Sequence, residues 1–230
     1  MSVKLIVALD FAQQSDALNL IDTLSPNTCA LKVGSEMFTQ WGPQFVKQLV
    51  DKKYKVFLDL KFHDIPNTVA KACQAAADLG VWMMNVHAVG GLRMMHAASK
   101  AIESYGINKP LLIGVTVLTS FNEQELLSVG VTNPLINQTL QLAQLAQDAG
   151  LDGVVSSAHE VCAIKRLCPT PFITVTPGIR LTNHLEDDQV RIMTPKQAIE
   201  CGSDYIVVGR PITRANNPAL VINEILNDIY

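Results

Sequence analysis

Asp59, Lys61 and Asp64 place two carboxylates and an ammonium in one short block, Val56-Phe57-Leu58-Asp59-Leu60-Lys61-Phe62-His63-Asp64-Ile65-Pro66-Asn67-Thr68. Flanking acids favour the charged form of a lysine, so such a group keeps a cation and a transferable proton where negative charge develops. A structural ion pair gives the same residue pattern and also perturbs pKa values. What separates the two readings is where the block sits. Val56, Phe57, Leu58 and Leu60 are apolar and β-favouring, and a helical period resumes only after Pro66. Alternation along a strand puts Asp59 and Lys61 on one face, about 7 Å apart, with Leu58, Leu60 and Phe62 on the other. Charges facing inward at the end of a buried strand are costly unless they pair or do chemistry. Asp64 then falls at the strand's mouth, where Asn67 or Thr68 near Pro66 is placed to start the next helix.

The elements that must hold this block are readable from end to end. Strand-like runs cover residues 5–10, 30–33, 56–61, 81–87, 111–117, 153–155, 172–175 and 205–208. Helical patterns cover 15–24, 42–52, 67–79, 91–105, 134–149, 160–167 and 195–201, and 218–228 closes the chain. Near-continuous apolar strands alternating with helices imply an all-parallel sheet covered on both faces. Eight such units are the number that closes an α/β (β/α)8 TIM barrel, in which active sites sit at the carboxyl ends of the strands. An open doubly wound sheet is the runner-up, but no Gly-x-Gly-x-x-Gly turn follows the first strand. No linker, low-complexity tract or charge block divides the chain, so 1–230 reads as a single domain.

Other strand ends add polar groups. Asp10 closes the first strand, and Lys32 sits among apolar neighbours in the second. A lysine there either snorkels at an edge or needs a carboxylate, and the mouth of the third strand offers two. His87 ends the fourth strand, but with no second histidine at ligand spacing and no zinc signature it reads as a satisfied hydrogen-bonder. His63 is assigned no chemistry. Thr119 and Ser120 follow the fifth strand, where hydroxyls cap a turn or meet the edge of a heterocycle. After the seventh strand, Thr176-Pro177-Gly178-Ile179-Arg180 opens a polar connection through Gln189, far longer than the usual ~4–6 residues. Long loops at this face of a barrel commonly act as lids. Gly209-Arg210 follows the eighth strand, joining a backbone that a ligand can approach to a bidentate donor. The loops after strands seven and eight are the recurrent phosphate site of the fold, which favours a phosphorylated substrate.

Composition narrows the class. The chain has 230 residues, 48% of them hydrophobic, enough for one large core. A formal net charge of -3 and no basic run give no footprint for nucleic acid. No apolar stretch has membrane-spanning length, and the strand-like start after Met1 does not read as a signal peptide. The five cysteines form no Cys-x-x-Cys pair, so they read as reduced, mostly buried thiols of a cytoplasmic protein.

With Asp10, Lys32, Asp59-x-Lys61-x-x-Asp64, Thr119-Ser120, Pro177-Gly178-Ile179-Arg180, Gln189 and Gly209-Arg210 in this order, the chain resembles the orotidine 5'-phosphate decarboxylase family, closest to its bacterial members. The likeness runs over residues 5–214, and the Asp59-to-Thr68 block is its most specific part. It implies cofactor-independent and metal-independent conversion of orotidine 5'-phosphate to uridine 5'-phosphate (UMP) and carbon dioxide, the last step of de novo UMP synthesis. It also implies roles. Lys61 would donate the proton to pyrimidine C6, and Lys32, Asp59, Lys61 and Asp64 would form a charged tetrad. A homodimer would supply Asp64 and Thr68 to the neighbouring site, with Ile65 also counted among the binding residues. Asp10 and Lys32 would hold the ribose hydroxyls, Thr119 and Ser120 the base, and Gln189 and Arg210 the phosphate. Pro177 and Arg180 would belong to the closing loop and Gly209 to the phosphate side. A magnesium-dependent 3-keto-L-gulonate 6-phosphate decarboxylase-like barrel shares Asp-x-Lys-x-x-Asp, but carries an acid where this chain has Lys32, whose ammonium would repel the metal. A non-catalytic nucleotide-binding barrel is the remaining alternative, and the intact tetrad weighs against it.

Overall fold

The computed structural model describes residues 3–181 and 193–230. Short runs rich in Val, Ile and Leu form the parallel strands β1 (Leu5–Leu9), β2 (Ala30–Gly34), β3 (Val56–Phe62), β4 (Met83–His87), β5 (Leu111–Val115), β6 (Gly153–Val155), β7 (Ile173–Thr176) and β8 (Tyr205–Val208). Each strand pairs with its neighbour in the sequence, and β8 returns to β1 to close the barrel. The expected (β/α)8 architecture is therefore the one observed.

Alternation sorts the strand side chains into two cores. Ile6, Ala8, Ala30, Phe57, Met83, Ile113, Val175 and Val207 fill the interior of the barrel. Leu5, Val7, Leu9, Leu31, Val33 and Leu58 face outward into the layer between strands and helices. That layer is covered by α1 (Gln14–Asp22), α2 (Ser35–Asp51), α3 (Pro66–Asp78), α4 (Gly91–Ile102), α5 (Glu123–Ser128), α6 (Leu135–Asp148), α7 (Ala158–Leu167), α8 (Pro195–Glu200), α9 (Arg210–Thr213) and α10 (Pro218–Ile229). Interiors of such barrels are packed rather than hollow, so a ligand is left only the mouth.

Several boundaries differ from the expectation, each for a local reason. Helix α2 begins at Ser35 rather than at residue 42 and breaks at Gly42 (φ 62°, ψ −162°), where Pro43 supplies no N–H. Helix α5 was not anticipated, although Asn122 and Glu125 form a reciprocal capping box that marks its start. Helix α4 ends at Ile102, and a 3-10 segment, Glu103–Asn108, replaces its expected last turn. Strand β4 starts two residues later than expected and β5 ends two earlier. Neither Asn67 nor Thr68 caps α3: Pro66 occupies its first turn after Ile65, and Asp64 Oδ1 accepts the Ile65 N–H at 2.6 Å.

The most consequential irregularity lies between β3 and β4. Leu58 pairs with Met84, but the next partners are Phe62 and Val86, so Asp59, Leu60 and Lys61 stand against Asn85 alone. Lys61 occupies the left-handed region at φ 51°. A bulge of this kind re-aims the side chains it carries.

Candidate active site

The sites of greatest chemical interest cluster at the carboxyl ends of the strands. Asp10 lies just past β1, Lys32 within β2, and Asp59 and Lys61 within the bulged end of β3. Asp59 is the hub. Its Oδ2 is 3.2 Å from Lys32 Nζ and its Oδ1 is 2.6 Å from Lys61 Nζ. Lys32 Nζ also lies 3.8 Å from Asp10 Oδ1. Lys32 thus finds its carboxylates in Asp59 and Asp10, and the second does not come from Asp64 as the reading of the third strand suggested. Leu58, Leu60 and Phe62 share a groove on the helix side of β3, so the facing of the block is the one alternation predicts, although the backbone reaches it through a bulge.

Asp59 is only 8% exposed. Burial pushes its carboxyl upward. The charges of Lys32 and Lys61, with hydrogen bonds from Lys61 and Asn85, outweigh that and hold it below the ordinary carboxylate range. The outcome is an ionised acid held between two ammonium groups.

Around this hub lies a cavity of about 250 Å³. Asp10, Lys32, Asp59 and Lys61 line it together with Thr119, Pro177, Gly178, Arg180, Gly209 and Arg210. Apolar side chains from the tops of the strands, Val115, Val155, Val175 and Val207 among them, complete the wall. Arg180 is 7% exposed, and its Nη1 donates to the carbonyl of Ile179 at 3.0 Å. Seven strands (β1, β2, β3, β5, β6, β7 and β8) therefore converge on one polar hollow with an apolar wall, the usual make-up of a small-molecule site.

Not every expected residue joins it. Ser120 is exposed and does not line the cavity. Asp64, Ile65 and Thr68 are exposed and lie outside the cavity of their own chain. Gln189 falls in 182–192, outside the described residues.

Residues 3–225 match the family model described as orotidine 5'-phosphate decarboxylase / HUMPS family. The chain belongs to that family. It is 66% identical over 229 residues to the orotidine 5'-phosphate decarboxylase of Legionella pneumophila (strain Corby), covering 100% of both chains. It is 58% identical to the protein of the same name from Psychromonas ingrahamii, covering 96% of this chain and 95% of that one. The crystal structure of orotidine 5'-phosphate decarboxylase from Lactobacillus acidophilus superposes with a TM-score of 0.89 at 37% identity, covering 99% of each chain.

One residue at the hub of this decarboxylase-family barrel, Asn85, escaped the sequence reading. Asn85 is fully buried in β4 and bonds both Asp59 and Lys61. Its signal was a lone amide in Met83-Met84-Asn85-Val86, which an apolar strand does not tolerate without partners. His87, read as a satisfied hydrogen-bonder, is half-buried at the end of β4. Among the described residues its contact is a tilted ring pair with His63, centroids 5.6 Å apart. Burial, then His63 and Lys61, push its imidazole below the ordinary value, with Asp59 opposing. The five cysteines are free, with Cys29, Cys73 and Cys168 buried and Cys162 exposed.

Proposed function

We propose that this chain converts orotidine 5'-phosphate to UMP and carbon dioxide, with Lys61 delivering a proton to C6 of the pyrimidine as carbon dioxide leaves. By its family and relatives it is a carboxy-lyase of the last step of UMP biosynthesis. The observation that carries the reading is Asp59 held between Lys32 and Lys61 in a cavity that Arg210 also lines.

Loss of carbon dioxide from C6 leaves an electron pair in the plane of the ring, where the π-system does not delocalise it. The site must meet that charge electrostatically, and a preorganised ammonium costs no reorganisation at the moment of reaction. Lys61 supplies both the cation and the proton. Asp59 holds the Lys61 ammonium at 2.6 Å and faces the departing carboxylate, so it acts by orienting the lysine, by repelling the substrate, or by both. One well-aimed group contributes about 3–4 kcal/mol, whereas enzymes lower barriers by up to roughly 23 kcal/mol. Binding energy from the remote phosphate, gripped by Arg210 and Gln189, is therefore drawn on to close the loop carrying Pro177 and Arg180 and to order the charges. Asp10 and Lys32 hold the ribose, Thr119 and Ser120 the base, and Gly209 leaves room beside the phosphate.

The working unit we infer is a homodimer of single-domain barrels (1–230) in which Asp64, Ile65 and Thr68 complete the partner's site. The exposure of these three side chains, outside their own cavity, supports that arrangement. A cytoplasmic setting fits the free thiols, and among the described residues no helix is long and apolar enough to cross a membrane. Neither a metal nor an organic cofactor enters the chemistry, and Lys32 places an ammonium where a magnesium site would need a carboxylate. The test is loss of orotidine 5'-phosphate absorbance with excess chelator present. Turnover unaffected by chelator is expected. Absence of turnover, or dependence on added magnesium, would overturn the assignment.

A further inference from the structure

Asn85 sits in the middle of β4 with no exposed surface, between apolar neighbours on either side in the strand. A buried amide needs partners for both its ends, and here both are found on β3. Its Nδ2 donates to Asp59 Oδ1 at 2.7 Å, and its Oδ1 accepts the backbone N–H of Lys61 at 2.8 Å. The same Asp59 oxygen takes Lys61 Nζ at 2.6 Å. One side chain thus ties the backbone of the lysine to the carboxylate that holds the lysine's ammonium.

The register of the two strands explains why a side chain is needed there. Three residues of β3 oppose Asn85 alone, so the ordinary ladder is interrupted where Lys61 turns left-handed. The amide oxygen replaces the missing backbone acceptor, and the amide nitrogen satisfies a lone pair of Asp59 without bringing a charge. Only a neutral side chain with acceptor and donor on one planar group does both. Leucine does neither. A carboxylate accepts the N–H but turns an unprotonated oxygen toward Asp59.

We propose that Asn85 is a positioning residue for proton delivery: from β4 it sets the direction in which Lys61 presents its ammonium. The proposal rests on the reading of Lys61 as proton donor and adds a residue that does not touch the substrate. It predicts loss of kcat with little change in KM, because the phosphate and ribose contacts come from other strands.

The decisive variants are Asn85→Leu and Asn85→Asp, compared with the parent dimer over a range of pH, with thermal melts confirming folding. Asn85→Leu should lower kcat about a hundredfold, the size of effect expected from a small misplacement of a reacting group, with KM within about twofold. Asn85→Asp supplies the conservative rescue. The charged or titratable groups around this position are Asp59 and Lys61 on β3, Lys32 on β2, and His87 on its own strand face with His63 against it; the β5 partner is Ile113. Burial beside Asp59 raises the introduced carboxyl above the ordinary carboxylate range. Protonated, it donates to Asp59 as the amide does, so kcat of Asn85→Asp should climb toward the parent value as pH falls, a limb the parent profile lacks. If Asn85→Leu does not fold, the Asn85→Asp profile alone decides. A profile parallel to the parent's, or a loss that appears in KM and not kcat, overturns the positioning role while leaving the decarboxylase reading intact. A parent protein without turnover removes both.

Discussion

Asp59 in β3 and His87 at the end of β4 are both displaced from their ordinary titration values, in ways that carry opposite meanings for charge. Asp59 stays ionised despite burial because two ammonium groups and two hydrogen bonds outweigh desolvation. Its folded carboxyl lies below the unfolded value, so its contribution to stability is present at neutral pH and lost only as pH falls through that lowered folded value. His87 stays neutral because burial, His63 and Lys61 disfavour its charged form. Its folded imidazole binds a proton less readily than the unfolded one. Between the lowered folded value and the ordinary value of about 6.5, the unfolded chain holds more protons, so stability falls as the solution is acidified. His87→Gln should therefore flatten the decline in unfolding free energy on going from neutral pH down through that range. Urea titrations at several pH values measure it, and an unchanged slope would show that His87 is not the group responsible.

At the scale of elements, the end of β3 is where regular structure gives way to function. Lys61 at φ 51° holds a conformation that side-chain-bearing residues adopt at a cost of about 1–2 kcal/mol. The Asn85 amide and the Asp59 contact offset that cost. Both Lys61→Ala and Lys61→Gly remove the ammonium, so the difference between them isolates the backbone. Glycine should be the more stable by about 0.5–1 kcal/mol, after allowance for its greater freedom when unfolded. That is the reverse of the usual order inside a strand, and chemical denaturation of the two variants checks it. If alanine proves the more stable, the left-handed turn is not the resting geometry. The sequence showed where β3 lay and which way Asp59 and Lys61 faced. It did not show the bulge, since that depends on which residues of β4 lie alongside. The break in α2 at Gly42-Pro43 and the Asn122–Glu125 capping box, by contrast, rest on local signals that the sequence carries.

For the molecule as a whole, the proposed dimer depends on the exposed residues after β3 at the barrel mouth. Among the described residues Asp64 bonds only the adjacent backbone, and Ile65 is 67% exposed beside it. A second copy seated here would shield Ile65 and carry Asp64 to a neighbouring lysine. Neither Lys61→Ala nor Asp64→Ala dimers should turn over on their own. Mixed dimers hold one site with both groups intact, so remixing the two variants should restore up to about a quarter of parental activity if random exchange makes half the dimers mixed. Mixed dimers verified by mass that stay inactive would confine each site to a single chain.

The eight strands, their order, the parallel barrel and the set of charged residues at the strand ends were all present in the linear chain. Apolar runs, turn residues and alternation act over a few positions, and closure follows once their number is eight. Which atoms meet was decided only in three dimensions. Lys32 chose Asp59 and Asp10, Asn85 bridged two residues of another strand, and Asp64 and Thr68 were left facing outward. Those outcomes depend on register between strands far apart in the chain, and a displacement of one residue there would turn each side chain to the opposite face.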